Sequence, residues 1–133
     1  MPEVITSTPE NAPAPIGPYS HIAQVGTFIT IGGVAGMDPK TGDLAPGGLA
    51  AQTRQILKNM SLLLDSVGSD LQHVVNVNIF LLHMSDFQEM NRVYADCMSA
   101  HRPARTVIGV HELPKPGILL TMNLTAVVRD PAA

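Results

Sequence analysis

His73-Val74-Val75-Asn76-Val77-Asn78-Ile79-Phe80-Leu81-Leu82, followed after two residues by Ser85-Asp86-Phe87-Gln88, is the stretch that decides the fold. Its first ten residues are β-branched and apolar between polar neighbours, which predicts a strand over 73–82. Side chains alternate along a strand, so Asn76 and Asn78 fall on one face with Val74, Phe80 and Leu82. The second piece carries a capping-box pattern, Ser85 with Gln88 three residues on. Phe87, Met90, Val93, Tyr94, Cys97 and Met98 then form the apolar face of a helix.

Working outward, Leu49, Thr53, Ile56, Met60, Leu63, Leu64 and Val67 recur at helical spacing, with Gly68 as a stop. Upstream, residues 20–25 and 27–31 read as a hairpin about Gly26. Gly32, Gly33 and Gly36 follow as places for a sharp turn or a close backbone approach. Asp38-Pro39-Lys40-Thr41-Gly42 and Pro46-Gly47-Gly48 are turns. Downstream, residues 105–110 and 119–128 predict two last strands. The order is β-β-α-β-α-β-β, with a further short strand near Leu44 as an option. This is an α+β class chain, a mixed β-sheet with two helices packed on one face. No segment is left to cover the sheet's other face, and self-association is the simplest remedy.

The 133 residues fit one domain, 1–133, with an extended, Pro-rich N-terminal arm over 1–18. Net charge is −3, and the eight Lys and Arg are scattered without a basic stripe, which argues against a nucleic-acid partner. The lone Cys97 excludes an internal disulfide and a multi-Cys zinc site, and fits a reducing compartment. No apolar run approaches the roughly 18 residues of a membrane span, and the start has no signal-peptide pattern. No membrane association and a cytoplasmic location are the expectations.

Several patterns resemble the Rid/YjgF (reactive intermediate deaminase) family, in that family's order. Asn11-Ala12-Pro13-Ala14-Pro15-Ile16-Gly17-Pro18-Tyr19 resembles its N-terminal signature, and Asp38-Pro39-Lys40-Thr41-Gly42 its PKTG turn. Asp86-Phe87 with Asn91 and Tyr94 resembles its DF-x-x-x-N-x-x-Y helix. Arg102-Pro103-Ala104-Arg105-Thr106-Val107 resembles its FPAR strand entry, and Leu113-Pro114-Lys115 its LPK turn. Together they cover about residues 10 to 128. The resemblance implies a chorismate-mutase-like fold, in a homotrimer whose sheets form a central barrel with ligand clefts between neighbours. It implies hydrolysis of small enamine and imine acids to 2-keto acids and ammonia, without metal or organic cofactor. In that family an arginine holds the substrate carboxylate and a glutamate on the last strand positions water.

Arg105 is the leading site residue, because a guanidinium offers a planar fork matching a carboxylate. The alternative is an Arg paired with an acid of its own chain or at a subunit contact. Tyr19 and Asn91 are candidates to line the cleft, each with packing or cross-linking as the alternative. Gly32-Gly33 stands where active members often carry Ser-Gly, so one hydroxyl is missing at Gly32. Val107 occupies the position of the family's cysteine. Counting from Leu113 puts the catalytic glutamate's place on Leu120; a three-residue insertion in the loop puts it on Asn123, which preserves the apolar alternation. No carboxylate lies between Glu112 and Asp130. Asn123 is therefore expected to orient water rather than take its proton, and loss of a general base typically lowers rate by about 10²–10⁴. The competing reading is a non-catalytic trimer that binds a small carboxylate metabolite. His101 and His111 are candidate substitute bases or plain turn residues. His21, His73 and His83 lack metal-ligand spacing, and Cys97 reads as a helix filler.

Overall fold

The computed structural model describes residues 3–130; Met1 and Pro2 of the expected arm and residues 131–133 of the expected domain lie outside them. Six strands form one sheet: β1 Ile5–Ser7, β2 Ile22–Val25, β3 Phe28–Ala35, β4 Val74–Leu81, β5 Ala104–Gly109 and β6 Leu120–Val127. Two helices, α1 Gly48–Asp65 and α2 Phe87–Met98, complete the α+β architecture. The spatial order is β1-β2-β3-β6-β4-β5. Only the β4–β5 pair is parallel, because α2 carries the chain back between them; all other neighbours are antiparallel. The last strand thus inserts between β3 and β4.

Apolar residues of alternate parity face the helices. Ile29 and Ile31 of β3, Val77, Ile79 and Leu81 of β4, and Leu120, Met122, Leu124 and Ala126 of β6 pack against α1 and α2 through Ile56, Met60, Leu63, Met90 and Met98. Both helices cover this one face. The opposite face carries Thr30, Asn78, Asn123 and Thr125, and leaves Phe28 48% and Ile108 48% exposed. Within one chain that face is uncovered.

Two bulges change the expected pattern. Pairing of β3 with β6 slips between Ile31 and Val34, so the strand runs through Gly32-Gly33 instead of ending there. A second slip, between Val74 and Asn76 against β6, turns Val74 into the core at 3% exposure. Val74 therefore does not share a face with Asn76 and Asn78; an extra residue on one strand reverses the alternation. Among the described residues of the arm, Ile5–Ser7 forms β1, an edge strand paired with β2. The option near Leu44 is a single bridge to Met37. At α2, a 3-10 turn over Met84–Asp86 precedes the helix and Asp86 is the N-cap without a side-chain cap bond, so the capping box does not form. Helix α1 stops at Asp65, ahead of Val67, and Gly68 takes φ +78° just beyond it.

Gly36 is fixed by packing. A Cβ there would stand 2.7 Å from the Gln52 backbone oxygen, so α1 approaches β3 closely only because the side chain is absent. Gln52 in turn donates to the Gly117 carbonyl at 2.9 Å and accepts from Leu119 N–H at 2.9 Å, tying the entry to β6 onto the helix.

Candidate active site

Arg105 lies on β5, an edge strand, in register with the core residue Val77, and so points to the helix side. Its Nη2 donates to Asn91 Oδ1 at 2.7 Å. Its Cζ stands 4.8 Å from the Tyr94 ring centroid and 6.0 Å from that of Phe87. Asn91, Tyr94 and Phe87 project from α2 at spacings of three and four, which places them on one helix face. A cation over an aromatic face gains about 0.5–2 kcal/mol depending on desolvation. Burial pushes the Tyr94 phenol above its ordinary value, and the positive field of Arg105 opposes that rise. The Tyr94 hydroxyl is buried without a hydrogen-bond partner among the described residues. Among the described residues no ion pair involves Arg105. Among the described residues Arg105 is thus not neutralised by an acid of its own chain. Most of its five N–H donors remain for a further acceptor. Val107, two residues along β5, is partly buried against the core and supplies an apolar wall on the same face.

A second locus is a cavity of about 410 Å³ between the arm and the bulged part of β3. Tyr19, His21, Gly32, Gly33, Ile118 and Thr121 are among the residues that line it. The Tyr19 hydroxyl accepts from Ile16 N–H at 3.2 Å, which leaves its proton to donate. A Cβ on Gly32 or Gly33 would meet nothing within 4 Å, so these exposed glycines border open space rather than satisfying a close contact. Among the described residues no Asp or Glu lines it.

The site residues expected from the sequence thus fall into two groups. Arg105, Asn91 and Val107 sit at the β5 edge; Tyr19 and Gly32 sit at the cavity. β3 and β5 are three strand spacings apart, about 14 Å across the sheet. The structure brings Asn123 to neither group. It lies on the uncovered face and accepts from Asn78 Nδ2 at 2.9 Å, whereas Arg105 lies on the helix side. Leu120, the other position reached by counting, is fully buried in the core.

Thr121 and His21 are among the lining residues that the sequence reading did not place at the site. Thr121, between those two positions, pairs with Ala35 beside the β3 bulge and reaches the cavity. Its signal was present: odd-numbered positions of β6 alternate away from the core, and Thr121 is the first of them after the loop. His21, weighed only as a metal ligand, is 5% exposed on the cavity wall. Nothing in its sequence position announced that burial, which arises because the arm folds over it. Elsewhere, His101 Nε2 donates to the Val74 carbonyl at 2.8 Å, an inter-element tie, while His111 is exposed. Cys97 is half-buried on α2, and its burial pushes the thiol up, away from the reactive thiolate. Among the described residues no three His, Cys, Asp or Glu gather as a metal group, and no helix is long and apolar enough to cross a membrane.

Known proteins match the chain along most of its length. The family model described as Endoribonuclease L-PSP matches residues 9–128. The chain is 44% identical over 115 residues to a RutC family protein of Pyrococcus horikoshii, covering 86% of this chain and 90% of that one. It is 40% identical over 113 residues to the 2-iminobutanoate/2-iminopropanoate deaminase of Mus musculus, covering 85% and 82%. The crystal structure of the YjgF gene product of E. coli superposes with a TM-score of 0.87 at 34% identity, covering 94% of this chain and 99% of that one. Matched along most of its length by this family model, these relatives and this structure, the chain belongs to the endoribonuclease L-PSP family, that of Rid and YjgF.

Proposed function

We propose that the protein hydrolyses the C=N bond of small 2-imino acids and their enamine tautomers, giving 2-keto acids and ammonia, in clefts completed between copies of a homotrimer. The observation that carries this reading is the Arg105 guanidinium, oriented by Asn91 and Tyr94 and free of any carboxylate of its own chain among the described residues. A planar fork held in place is suited to bidentate recognition of a substrate carboxylate. Because Asn91 accepts through Oδ1, its Nδ2 remains a second donor toward the same anion. Val107 presents an apolar surface to the substrate chain.

The two-copy cleft follows from distance. A three- or four-carbon acid does not span the roughly 14 Å between β5 and β3, so Arg105 and the Tyr19–Gly32 cavity serve one ligand only when they come from different copies. The uncovered sheet face, with Phe28 and Ile108 exposed, is the surface such an assembly would bury. Relatives named 2-iminobutanoate/2-iminopropanoate deaminase, at about 40% identity, support the reaction class. The Asn78–Asn123 amide pair is left out of the chemical step, because it is not among the residues that line the cavity and lies on the face of the sheet opposite Arg105.

A second reading rests on the absence, among the described residues, of Asp and Glu from the cavity lining: a non-catalytic trimer that binds a 2-keto acid in the same cleft. One experiment separates the two. Imino acids are generated with an amino-acid oxidase, and the protein's effect on semicarbazide trapping is followed. The deaminase reading expects wild type to suppress trapping and Arg105→Ala to match buffer. Saturable keto-acid binding with no effect on trapping favours the second reading, and an absence of both contradicts each.

A further inference from the structure

His21 is held on three sides. Its main-chain N–H donates to Thr8 Oγ1 at 3.2 Å, its carbonyl accepts from Gly32 N–H at 3.0 Å, and Nε2 stands 2.5 Å from the Pro13 carbonyl oxygen. A carbonyl only accepts, so Nε2 carries a proton and donates it. In the neutral ring the lone pair is therefore on Nδ1. That atom is buried and has no hydrogen-bond partner among the described residues, in a residue 5% exposed on the cavity wall. The Tyr19 ring stands edge-on beside it, centroids 5.9 Å apart and planes at 77°. Buried polar atoms without partners are uncommon, and one recurrent reason for keeping one is chemistry. Fixing one ring nitrogen on a carbonyl while the other stays basic is how an imidazole is aimed as a proton acceptor.

We propose that His21 Nδ1 is the group that takes a proton from the water attacking the ligand in this cavity. The proposal rests on the C=N hydrolysis read above and assigns its base. Water oxygen bonds to the imine carbon as Nδ1 removes one of its protons, and the C=N pair moves to nitrogen, which takes a proton from solvent. The imidazolium then returns its proton to that nitrogen. The C–N bond breaks, ammonia leaves, and the oxygen closes to C=O while its proton passes to solvent. The assignment requires the arm over His21 to shift far enough for water to reach the buried Nδ1.

The test is made on the full-length oligomer with ¹⁵N-labelled histidine, using 2-oxobutanoate and 2-hydroxybutanoate as probes. The two share a carboxylate, but only the hydroxy acid has a C2 donor like that of the tetrahedral intermediate. The expected result is an Nε2–H tautomer in the free protein and a shift of Nδ1 with the hydroxy acid that the keto acid does not produce. His21→Gln is expected to lower kcat about 100-fold or more while keto-acid affinity changes by no more than about threefold. Both acids bound with Nδ1 unmoved, or His21→Gln turning over like wild type, overturns the assignment and leaves the deaminase reading standing. If neither acid binds and no imine is turned over, both fall together.

Discussion

Arg105 Nη2 donates to Asn91 Oδ1 at 2.7 Å, joining the edge strand β5 to α2. The bond holds a guanidinium whose plane is also backed by the Tyr94 ring 4.8 Å away. Rigidity of this kind matters for a small ligand, which has few atoms with which to order a loose side chain.

Removing the cation should therefore act on binding above all. Arg105→Ala is expected to weaken 2-keto-acid binding by about 10- to 100-fold, the range for a lost charge-assisted hydrogen bond. Arg105→Lys should recover little of it, since a point charge lacks the fork. Isothermal calorimetry on both variants checks this.

Tyr94 separates ring from hydroxyl. Its buried hydroxyl has no partner among the described residues, and leaving such a group unsatisfied costs about 1–3 kcal/mol. Tyr94→Phe is expected to be neutral or to raise Tm, with keto-acid affinity unchanged, because the ring that backs Arg105 remains. Tyr94→Leu should lose both stability and affinity. Thermal denaturation with binding measurements distinguishes the two.

The glycines divide by space. Gly36→Ala places a Cβ 2.7 Å from the Gln52 backbone oxygen, and overpacking of this kind costs about 1–3 kcal/mol. Gly32→Ala meets nothing within 4 Å and should leave the single chain's stability within about 0.5 kcal/mol. Any loss of affinity in Gly32→Ala would then report crowding of the cleft. Denaturant titration compares the pair.

At the acid end, Asp70 makes stability depend on pH. Burial raises its carboxyl, but hydrogen bonds from His73 and Arg129, the charge of His73 and the Gln72 N–H outweigh it and hold the group below its ordinary value. A depressed folded value means stabilisation that is present above the unfolded value and disappears as pH falls through the folded one. Asp70→Asn should flatten the acid limb of stability below about pH 4. The loss at neutral pH should stay under about 1 kcal/mol, because the pair is partly exposed and screened. Urea unfolding at pH 3 and pH 7 measures both.

Element types were legible because period and composition agreed over long runs, as in β4, α1 and α2. The bulges were not. Gly32-Gly33 read as an end to β3 because glycine weakens a strand locally, whereas β6 pairs on both sides of it. The inversion at Val74 likewise depends on the partner strand. Site residues showed the same division. Arg105 and Asn91 were each nameable, but their bond depends on α2 crossing back over the β5 edge. The last strand was ambiguous between Leu120 and Asn123 because the loop's length had no fixed counterpart. Register against Ala35 puts Thr121 at the cavity instead. His21 needed the folded arm, since its burial and its bond to Pro13 are both long-range.

A crystal structure of the oligomer soaked with 2-oxobutanoate probes the account at its centre. The carboxylate should lie about 2.7–2.9 Å from the Arg105 guanidinium, with Tyr19 and Gly32 of a neighbouring copy closing over it. Arg105 instead paired with an acid from another copy, the keto acid bound elsewhere or not at all, would contradict it.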